Sequence, residues 1–235
     1  MSKINFFKKN KFLYWIYKFQ KIYKNKKPNY HFAEFGEDIM INRIFKNITN
    51  GFYVDIGAYH PYKGSLTYNL YKKGWTGANI DISKTSIDLF NIARPKDINI
   101  NCAVSNFSGD TYYYENSPIN QQNSLISNHE GTNKIKIKSL TFDEIIALKN
   151  INKVDYINID TEGNELEILN GINFNKISPY LFTIEENSFF PSNTSKLAKI
   201  KFMNGKGYEL INIIGVTMFF VHKKSIPKIN DWISI

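Results

Sequence analysis

Acidic and small residues end several apolar segments of this chain, at positions where they could share one binding site. In an open α/β sheet, ligands bind beyond the carboxyl ends of the strands, where residues from successive parallel strands meet. The sequence therefore predicts a cofactor site at that edge. Its candidate residues are those that end the five segments: Asp55, Gly57 and Ala58; Asp81; Ala103, Val104 and Ser105; Asp160 and Glu162; Glu185 and Glu186.

The spacing of Gly57 and Asp81 indicates the kind of cofactor. A glycine at the first strand end lets a ligand approach the backbone closely. An acid at the end of the next strand can accept hydrogen bonds from both hydroxyls of a ribose. Asp55 and Asp81 could each simply cap a loop, but together they favour a nucleoside-type cofactor. The chain contains no G-x-G-x-x-G fingerprint and no P-loop, so a ligand without phosphates, such as S-adenosylmethionine, fits better.

The elements that would position these residues alternate between strands and helices, which predicts a parallel sheet flanked by helices. After a segment at 1–30, residues 31–235 read as one α/β domain with a mostly parallel, seven-stranded sheet and a closing antiparallel hairpin. The predicted strands are 52–56, 76–82, 98–104, 111–115, 134–138, 154–159, 180–184, 208–214 and 217–222. The predicted helices are 34–47, 65–73, 86–94, 141–148, 163–169 and 195–204, and the polar run 116–133 is a predicted loop.

The positive charge of the chain is concentrated at its N-terminus. Residues 1–30 contain nine lysines and no acid, whereas the remainder has 21 basic and 21 acidic residues. A nucleic-acid-binding domain usually carries its basic charge on the domain itself, so we expect no nucleic-acid partner. The single cysteine, Cys102, and the absence of a long apolar run favour a cytoplasmic protein.

Residues 11–24 have the pattern of an amphipathic helix, with aromatic residues at helical spacing and lysines largely outside that stripe. Such a helix can lie on an anionic membrane surface. It can equally pack its aromatic residues against the body of the protein. Peripheral contact of residues 1–27 with the inner face of the membrane is therefore one of two open interpretations.

Five segments of the chain resemble the FkbM-type methyltransferases. They are FGEDIMI (35–41), FYVDIGAYHPYKGSLTYNLYKKGWTGANIDI (52–82), RPKDININCAVSN (94–106), SLTFDEIIAL (139–148) and YINIDTEGNELEILNG (156–171). The last segment is the most specific. The resemblance implies a Rossmann-like class I methyltransferase fold and transfer of a methyl group from S-adenosylmethionine to a hydroxyl. Similar enzymes O-methylate sugars in surface polysaccharides, lipopolysaccharide or other glycans, so the implied acceptor is a small molecule or a glycan.

The resemblance also implies roles for individual residues. Asp55 and Gly57 would line the amino-acid and ribose side of the cofactor, with Ala58 and Ser65 nearby, and Asp81 would hold the ribose. Ala103 and Val104 would flank the adenine. Glu37 and Asp38 occupy the G-E-D position of the family and would close over the cofactor, with Asp160 facing the methyl group. At Glu34 the family more often has glutamine, which leaves that position without an expected role.

Methyl transfer to oxygen also needs a group that takes a proton. Asp160 is the leading candidate because it ends a central strand. The other candidates are Glu162, Glu186, His60 and His129. Glu162 could instead be an acid that only stabilises the positive end of the helix dipole, and His60 could be only a turn residue. Ser124 and His129, in the polar loop, are candidate acceptor contacts.

Asp160, Glu162 and Glu186 could also hold a divalent cation through carboxylate oxygens. No spacing of ligands requires this, so no metal is expected. Two other functions remain open from sequence: a nucleic-acid methyltransferase, which the neutral domain disfavours, and a catalytically silent nucleoside-binding scaffold. A nucleotide-sugar oxidoreductase is disfavoured by the missing glycines.

Overall fold

A computed structural model describes residues 10–24, 31–115, 117, 125, 133–186 and 194–225. Its helices are α1 (Lys11–Lys24), α2 (Glu37–Ile44), α3 (Tyr68–Lys72), α4 (Lys84–Ala93), α5 (Phe142–Leu148), α6 (Glu165–Asn170) and α7 (Thr194–Gly205). Its strands are β1 (Phe52–Ile56), β2 (Thr76–Asp81), β3 (Ile98–Asn101), β4 (Ala103–Ser105), β5 (Gly109–Glu115), β6 (Asn133–Thr141), β7 (Tyr156–Ile159), β8 (Leu181–Glu185), β9 (Tyr208–Ile214) and β10 (Thr217–His222).

Seven of these strands form the main sheet, in the order β3-β2-β1-β7-β8-β10-β9. The neighbouring strands β3, β2, β1, β7 and β8 all pair in parallel. Strand β10 runs antiparallel to both β8 and β9. The predicted parallel sheet with a closing antiparallel hairpin is therefore confirmed. The strand order reverses between β1 and β7, so the carboxyl ends of these strands form the crevice in which a ligand is expected.

Both faces of the main sheet are buried, as is usual for parallel strands. Side chains alternate along β1, so Val54 belongs to the hydrophobic cluster on one face and Tyr53 to the cluster on the other. On β7, Ile157 and Tyr156 divide in the same way. Because the faces are covered, the carboxyl edge is the place where this sheet can offer polar groups to a ligand.

The sequence prediction of one strand over 98–104 was wrong, because the chain leaves the main sheet after Asn101. The Asn101 amide donates to the carbonyls of Asp81 and Ile82, which ends β3 against the β2 loop. The following β4 pairs instead with β6 in a three-stranded sheet of order β4-β6-β5. The predicted edge strand at 134–138 is therefore the central strand of this small sheet.

The N-terminal helix α1 packs along α4. The Tyr14 hydroxyl lies 2.9 Å from Thr85 Oγ1, and Lys18 Nζ lies 3.8 Å from the Asp88 carboxylate. Ile22 is 2% exposed and packs in a cluster with Leu89. One face of α1 is thus held by the body of the protein. No helix in the described parts of the chain is long and apolar enough to cross a membrane.

Candidate active site

A cleft opens at the carboxyl ends of β1, β2 and β7. Its volume, including the open space at its mouth, is about 680 Å³. Five of the predicted site residues line it: Gly57, Asp81, Val104, Asp160 and Glu162. The sequence did not single out the apolar wall, which is formed by Ile56, Ile80, Ile82, Cys102 and Leu125, or the polar Tyr59, Thr161 and Asn164.

Gly57 forms the floor of the cleft, where β1 turns towards β2. Its φ of +80° lies in the left-handed region, and its N–H donates to the Ile80 carbonyl at 2.9 Å. A Cβ at this position would lie 1.6 Å from the carbonyl oxygen of Asp160. The glycine is therefore required by the close approach of two strand ends within the protein, in addition to any ligand.

Asp81 borders the cleft at the end of β2. Its two carboxylate oxygens accept hydrogen bonds from the backbone N–H groups of Tyr59, at 2.8 Å, and Ser83, at 2.7 Å. Burial raises the pKa of Asp81 to about 6, against the lowering effect of these two hydrogen bonds. Asp81 does cap its loop, as the simpler interpretation of the sequence held. A carboxylate oxygen has a second lone pair, which can face a ligand in the cleft.

Asp55 and Ser65 belong to a buried network instead of the cleft lining. Asp55 accepts from the Thr67 hydroxyl at 2.7 Å and from the Asn158 amide at 2.9 Å. The buried Arg94 guanidinium donates to both Thr67 and Ser65 at 2.8 Å. Burial raises the pKa of Asp55. This network ties β1 to β7 and to the loop that enters α3, so the two residues act on the cleft through its framework.

A cluster of three carboxylates closes one end of the cleft. Oxygens of Asp160, Glu162 and Glu185 all lie within 4.8 Å of one another. Burial, followed by the negative charge of Glu185, raises the pKa of Asp160 well above its usual range. Burial raises the pKa of Glu185 to about 7, and these two side chains are hydrogen-bonded to each other. Two buried acids in such contact hold one proton between them near neutral pH.

The sequence predicted Glu186 as the third carboxylate of this cluster, but Glu185 occupies that position. The Glu186 carboxylate lies 3.3 Å from the buried Lys199 Nζ. Lys199, on α7, also lies 3.1 Å from the Glu165 carboxylate and donates to the Glu185 carbonyl at 2.7 Å. Glu186 is thus part of an ion-pair network behind the cluster. Glu185 was named only together with Glu186 as a residue that ends its strand, and Lys199 was not named, because their placement depends on how β8 and α7 pack.

The loop after β7 carries Glu162 in a strained conformation. Glu162 has a φ of +58°, which is costly for a residue with a Cβ. The Glu165 carboxylate supports the loop, accepting from the Thr161 N–H at 3.1 Å and the Gly163 N–H at 2.9 Å. Glu165, at the start of α6, is the acid that interacts with the helix dipole, the role that was considered for Glu162. Glu162 is thereby turned towards the cleft, as a group that could act on a ligand.

His60 is positioned as a structural residue. Its Nδ1 accepts from the backbone N–H groups of Tyr62 and Lys63, both at 3.1 Å. Burial lowers the pKa of His60 to about 4. Because Nδ1 is occupied and the ring is absent from the cleft lining, the turn interpretation fits His60 better than a role as base.

The remaining predicted residues lie outside the cleft lining. Glu37 accepts from the Phe35 N–H at 2.8 Å, and Asp38 accepts from the Asn69 amide at 2.7 Å. Both acids are buried at the start of α2, where burial raises their pKa values. Ala58 and Ala103 are buried beside residues that do line the cleft. The candidate acceptor contacts Ser124 and His129 lie outside the described residues.

Solved structures of similar fold include several methyltransferases. A TehB-like SAM-dependent methyltransferase from Corynebacterium glutamicum has 12% identity and a TM-score of 0.46, covering 89% of this chain and 97% of its own. A SAM-dependent methyltransferase from Geobacter sulfurreducens, in complex with S-adenosyl-L-homocysteine, has 10% identity and a TM-score of 0.44, covering 83% and 72%. The 1,6-didemethyltoxoflavin-N1-methyltransferase of Burkholderia thailandensis has 10% identity and a TM-score of 0.44, covering 79% and 76%.

These similarities are distant, and no curated protein matches the chain. The family model of the methyltransferase FkbM domain, in contrast, matches residues 55–210. That range begins at the end of β1 and includes the cleft, the carboxylate cluster and the start of the closing hairpin. The protein belongs to the family of methyltransferases that carry the FkbM domain.

Proposed function

We propose that this protein is an S-adenosylmethionine-dependent methyltransferase that methylates a hydroxyl of a sugar or glycan. The observation that carries the proposal is the hydrogen-bonded pair Asp160 and Glu185 at a cleft that Asp160 lines together with Asp81 and an apolar wall. The cleft thus combines a place for an adenosyl group with acids that can take a proton from an acceptor.

The residues of the cleft fit the cofactor. The side chains of Ile80, Ile82 and Val104 provide apolar surface for an adenine ring, and Asp81 can accept hydrogen bonds from ribose hydroxyls. The negative charge of the cluster favours a cation such as a sulfonium. When bound, S-adenosylmethionine supplies an activated methyl group.

The acid pair provides the proton chemistry for an oxygen acceptor. A hydroxyl must lose its proton as its oxygen gains the methyl group, and a carboxylate whose pKa is near 7 is an effective base at neutral pH. Asp160 and Glu185 share a hydrogen bond, so the ionised partner accepts the hydroxyl proton and becomes neutral while the other holds it in place. The acceptor oxygen gains the methyl group, and the electron pair of the broken bond leaves with the cofactor sulfur. Glu162, beside them, can orient the acceptor through hydrogen bonds to its other hydroxyls.

The choice of a sugar or glycan is supported by the resemblance to FkbM-type enzymes and by the polar residues at this end of the cleft. Thr161, Glu162 and Asn164 offer both donors and acceptors. A polyhydroxylated acceptor can use several such groups at once. The hydrogen-bonded carboxylate pair accounts for the proton transfer in this proposal.

Calorimetric titration of S-adenosylmethionine into the wild type and the Asp81→Ala variant tests the cofactor site. We expect a loss of about 30-fold in affinity, because hydrogen bonds to a charged group contribute about 2 kcal/mol. Asp110→Ala removes an exposed aspartate of β5 and should bind as the wild type does. Absence of binding to all three proteins would contradict the proposal. Binding without turnover of any glycan acceptor would favour the scaffold alternative.

The affinity for S-adenosylmethionine should also depend on pH. Only ionised Asp81 can accept hydrogen bonds with both oxygens, and its pKa is raised to about 6. Protonation of Asp81 should therefore weaken binding by roughly tenfold at pH 5. Titrations from pH 5 to 8 would show this, and a pH-independent affinity would argue against a ribose contact by Asp81.

A further inference from the structure

The N-terminal helix α1 exposes a ridge of aromatic side chains, which we call the aromatic ridge. It consists of Phe12, Trp15, Phe19 and Tyr23, whose exposed fractions are 66%, 49%, 38% and 52%. The ring centroids of Trp15 and Phe19 lie 5.2 Å apart, and those of Phe19 and Tyr23 lie 4.2 Å apart. Trp15, Phe19 and Tyr23 therefore form a continuous apolar surface. Contiguous exposed apolar surface of this kind marks an interaction site.

The ridge is separate from the face by which α1 contacts the body. Body contacts are made by Tyr14, Lys18 and Ile22, which recur every four residues. At about 100° per residue, the ridge residues lie roughly a third of a turn around the helix from these three. The helix thus packs through one face and exposes the ridge on another. The two sequence interpretations of this helix, packing and membrane contact, apply to different faces.

The charge of the segment identifies the occupant of the ridge. Residues 1–30 contain nine lysines and no acid, although the rest of the chain is formally neutral. Lys11 and Lys21 are exposed on α1 itself. Aromatic residues with a polar atom, such as Trp15 and Tyr23, are suited to the boundary between water and lipid. Aromatic residues on one face of a helix, with lysines on its other faces, are the signature of a helix that lies in a membrane interface.

We propose that the aromatic ridge and the net positive charge of residues 1–30 dock this protein on the surface of an anionic lipid bilayer. The aromatic side chains enter the boundary between headgroups and acyl chains, and the lysines bind the negatively charged headgroups. Because α1 is held against α4, docking brings the catalytic domain to the bilayer surface. This proposal does not depend on the proposed methyl transfer.

Sedimentation of the full-length protein with vesicles tests the docking. The vesicles contain phosphatidylglycerol mixed with phosphatidylcholine, or phosphatidylcholine alone. We expect the wild type to sediment with the anionic vesicles and to be released by high salt, because lysine–headgroup attraction is screened. A Trp15→Ser, Phe19→Ser double variant should have at least a tenfold lower partition coefficient. Phe107→Ser, which removes a 46% exposed aromatic residue from the body, should partition as the wild type does.

The ridge residues are exposed, so the double variant should keep the wild-type melting temperature. Failure of the wild type to sediment with anionic vesicles would overturn the proposal, as would unchanged sedimentation of the double variant. If the wild type instead forms a dimer that the double variant cannot form, the ridge binds a second copy of the chain and the bilayer proposal is wrong. Calorimetric binding of S-adenosylmethionine should be equal in all variants, which separates this result from the test of the cofactor site.

Discussion

The Gly57→Ala variant is expected to lose about 3 kcal/mol or more of its free energy of unfolding, and to bind S-adenosylmethionine at least 100-fold more weakly. The new Cβ would lie 1.6 Å from the Asp160 carbonyl oxygen and 2.7 Å from the carbonyl carbon. Both atoms belong to the backbone, so no side-chain rotation can relieve the contact. The ends of β1 and β7 must separate, and the cleft between them changes shape.

The Gly74→Ala variant provides a matched control. Gly74 has a φ of +97°, so alanine is strained there as well, but nothing lies within 4 Å of the added Cβ. This variant should lose only about 1 kcal/mol, the usual cost of a left-handed alanine, and keep its affinity for the cofactor. Urea unfolding and calorimetry would measure both effects. Equal losses in the two variants would mean that backbone conformation alone explains Gly57, and that the close approach of Asp160 has no energetic consequence.

The positions of the strand ends could be predicted from the sequence, because apolar segments, glycines and helix caps alternate along the chain. The capping box of α5 is one example, with Thr141 and Glu144 hydrogen-bonded to each other as their spacing indicated. Such signals are local. They placed Gly57, Asp81 and Asp160 at the correct edge of the sheet, where the cleft is found.

The partner of Asp160 could not be predicted, because it depends on strand register. Strand β7 pairs with β8 so that Asn158 lies opposite Thr183. Two residues further along each strand, Asp160 and Glu185 come to the same face, whereas Glu186 points the other way and meets Lys199. A shift of one residue would exchange the two glutamates. The sequence fragment Glu185-Glu186 contains no signal that decides between them.

Packing also decides the roles of Asp55, which lies outside the cleft lining, and of His60, which takes the turn role that the sequence left open. Each lies at the correct edge in the sequence, but each is satisfied by partners far along the chain or in the same turn. Asp55 is held by Asn158, 103 residues away, and His60 by two backbone groups of its own loop. Residue type and spacing indicate which groups could act on a ligand, whereas only packing shows which of them are already engaged.

Replacing Glu185 with glutamine should make the protein more stable at pH 8 while having little effect at pH 5. The pKa of Glu185 is raised to about 7 from its ordinary 4.5, so the folded state binds this proton more tightly than the unfolded chain does. The resulting stabilisation is fully present below about pH 4.5 and is lost as the pH rises through about 7. For a shift of this size the loss is on the order of 3 kcal/mol.

Glutamine at position 185 removes the second negative charge and can donate a hydrogen bond to ionised Asp160, so the loss should largely disappear in the variant. Urea unfolding at pH 5 and pH 8 would measure it. Glu167→Gln, at an exposed glutamate of α6 outside the cluster, should follow the wild type at both pH values.

The same Glu185→Gln variant should lower methyl transfer to a glycan acceptor by about 100-fold or more, because the pair can no longer accept the hydroxyl proton at neutral pH. A gain in stability together with a loss of turnover is the result expected of acids retained for catalysis at a cost in stability. Equal pH dependence of the wild type and Glu185→Gln would show that the pair holds no shared proton, and the proposed base would have to be sought in Glu162.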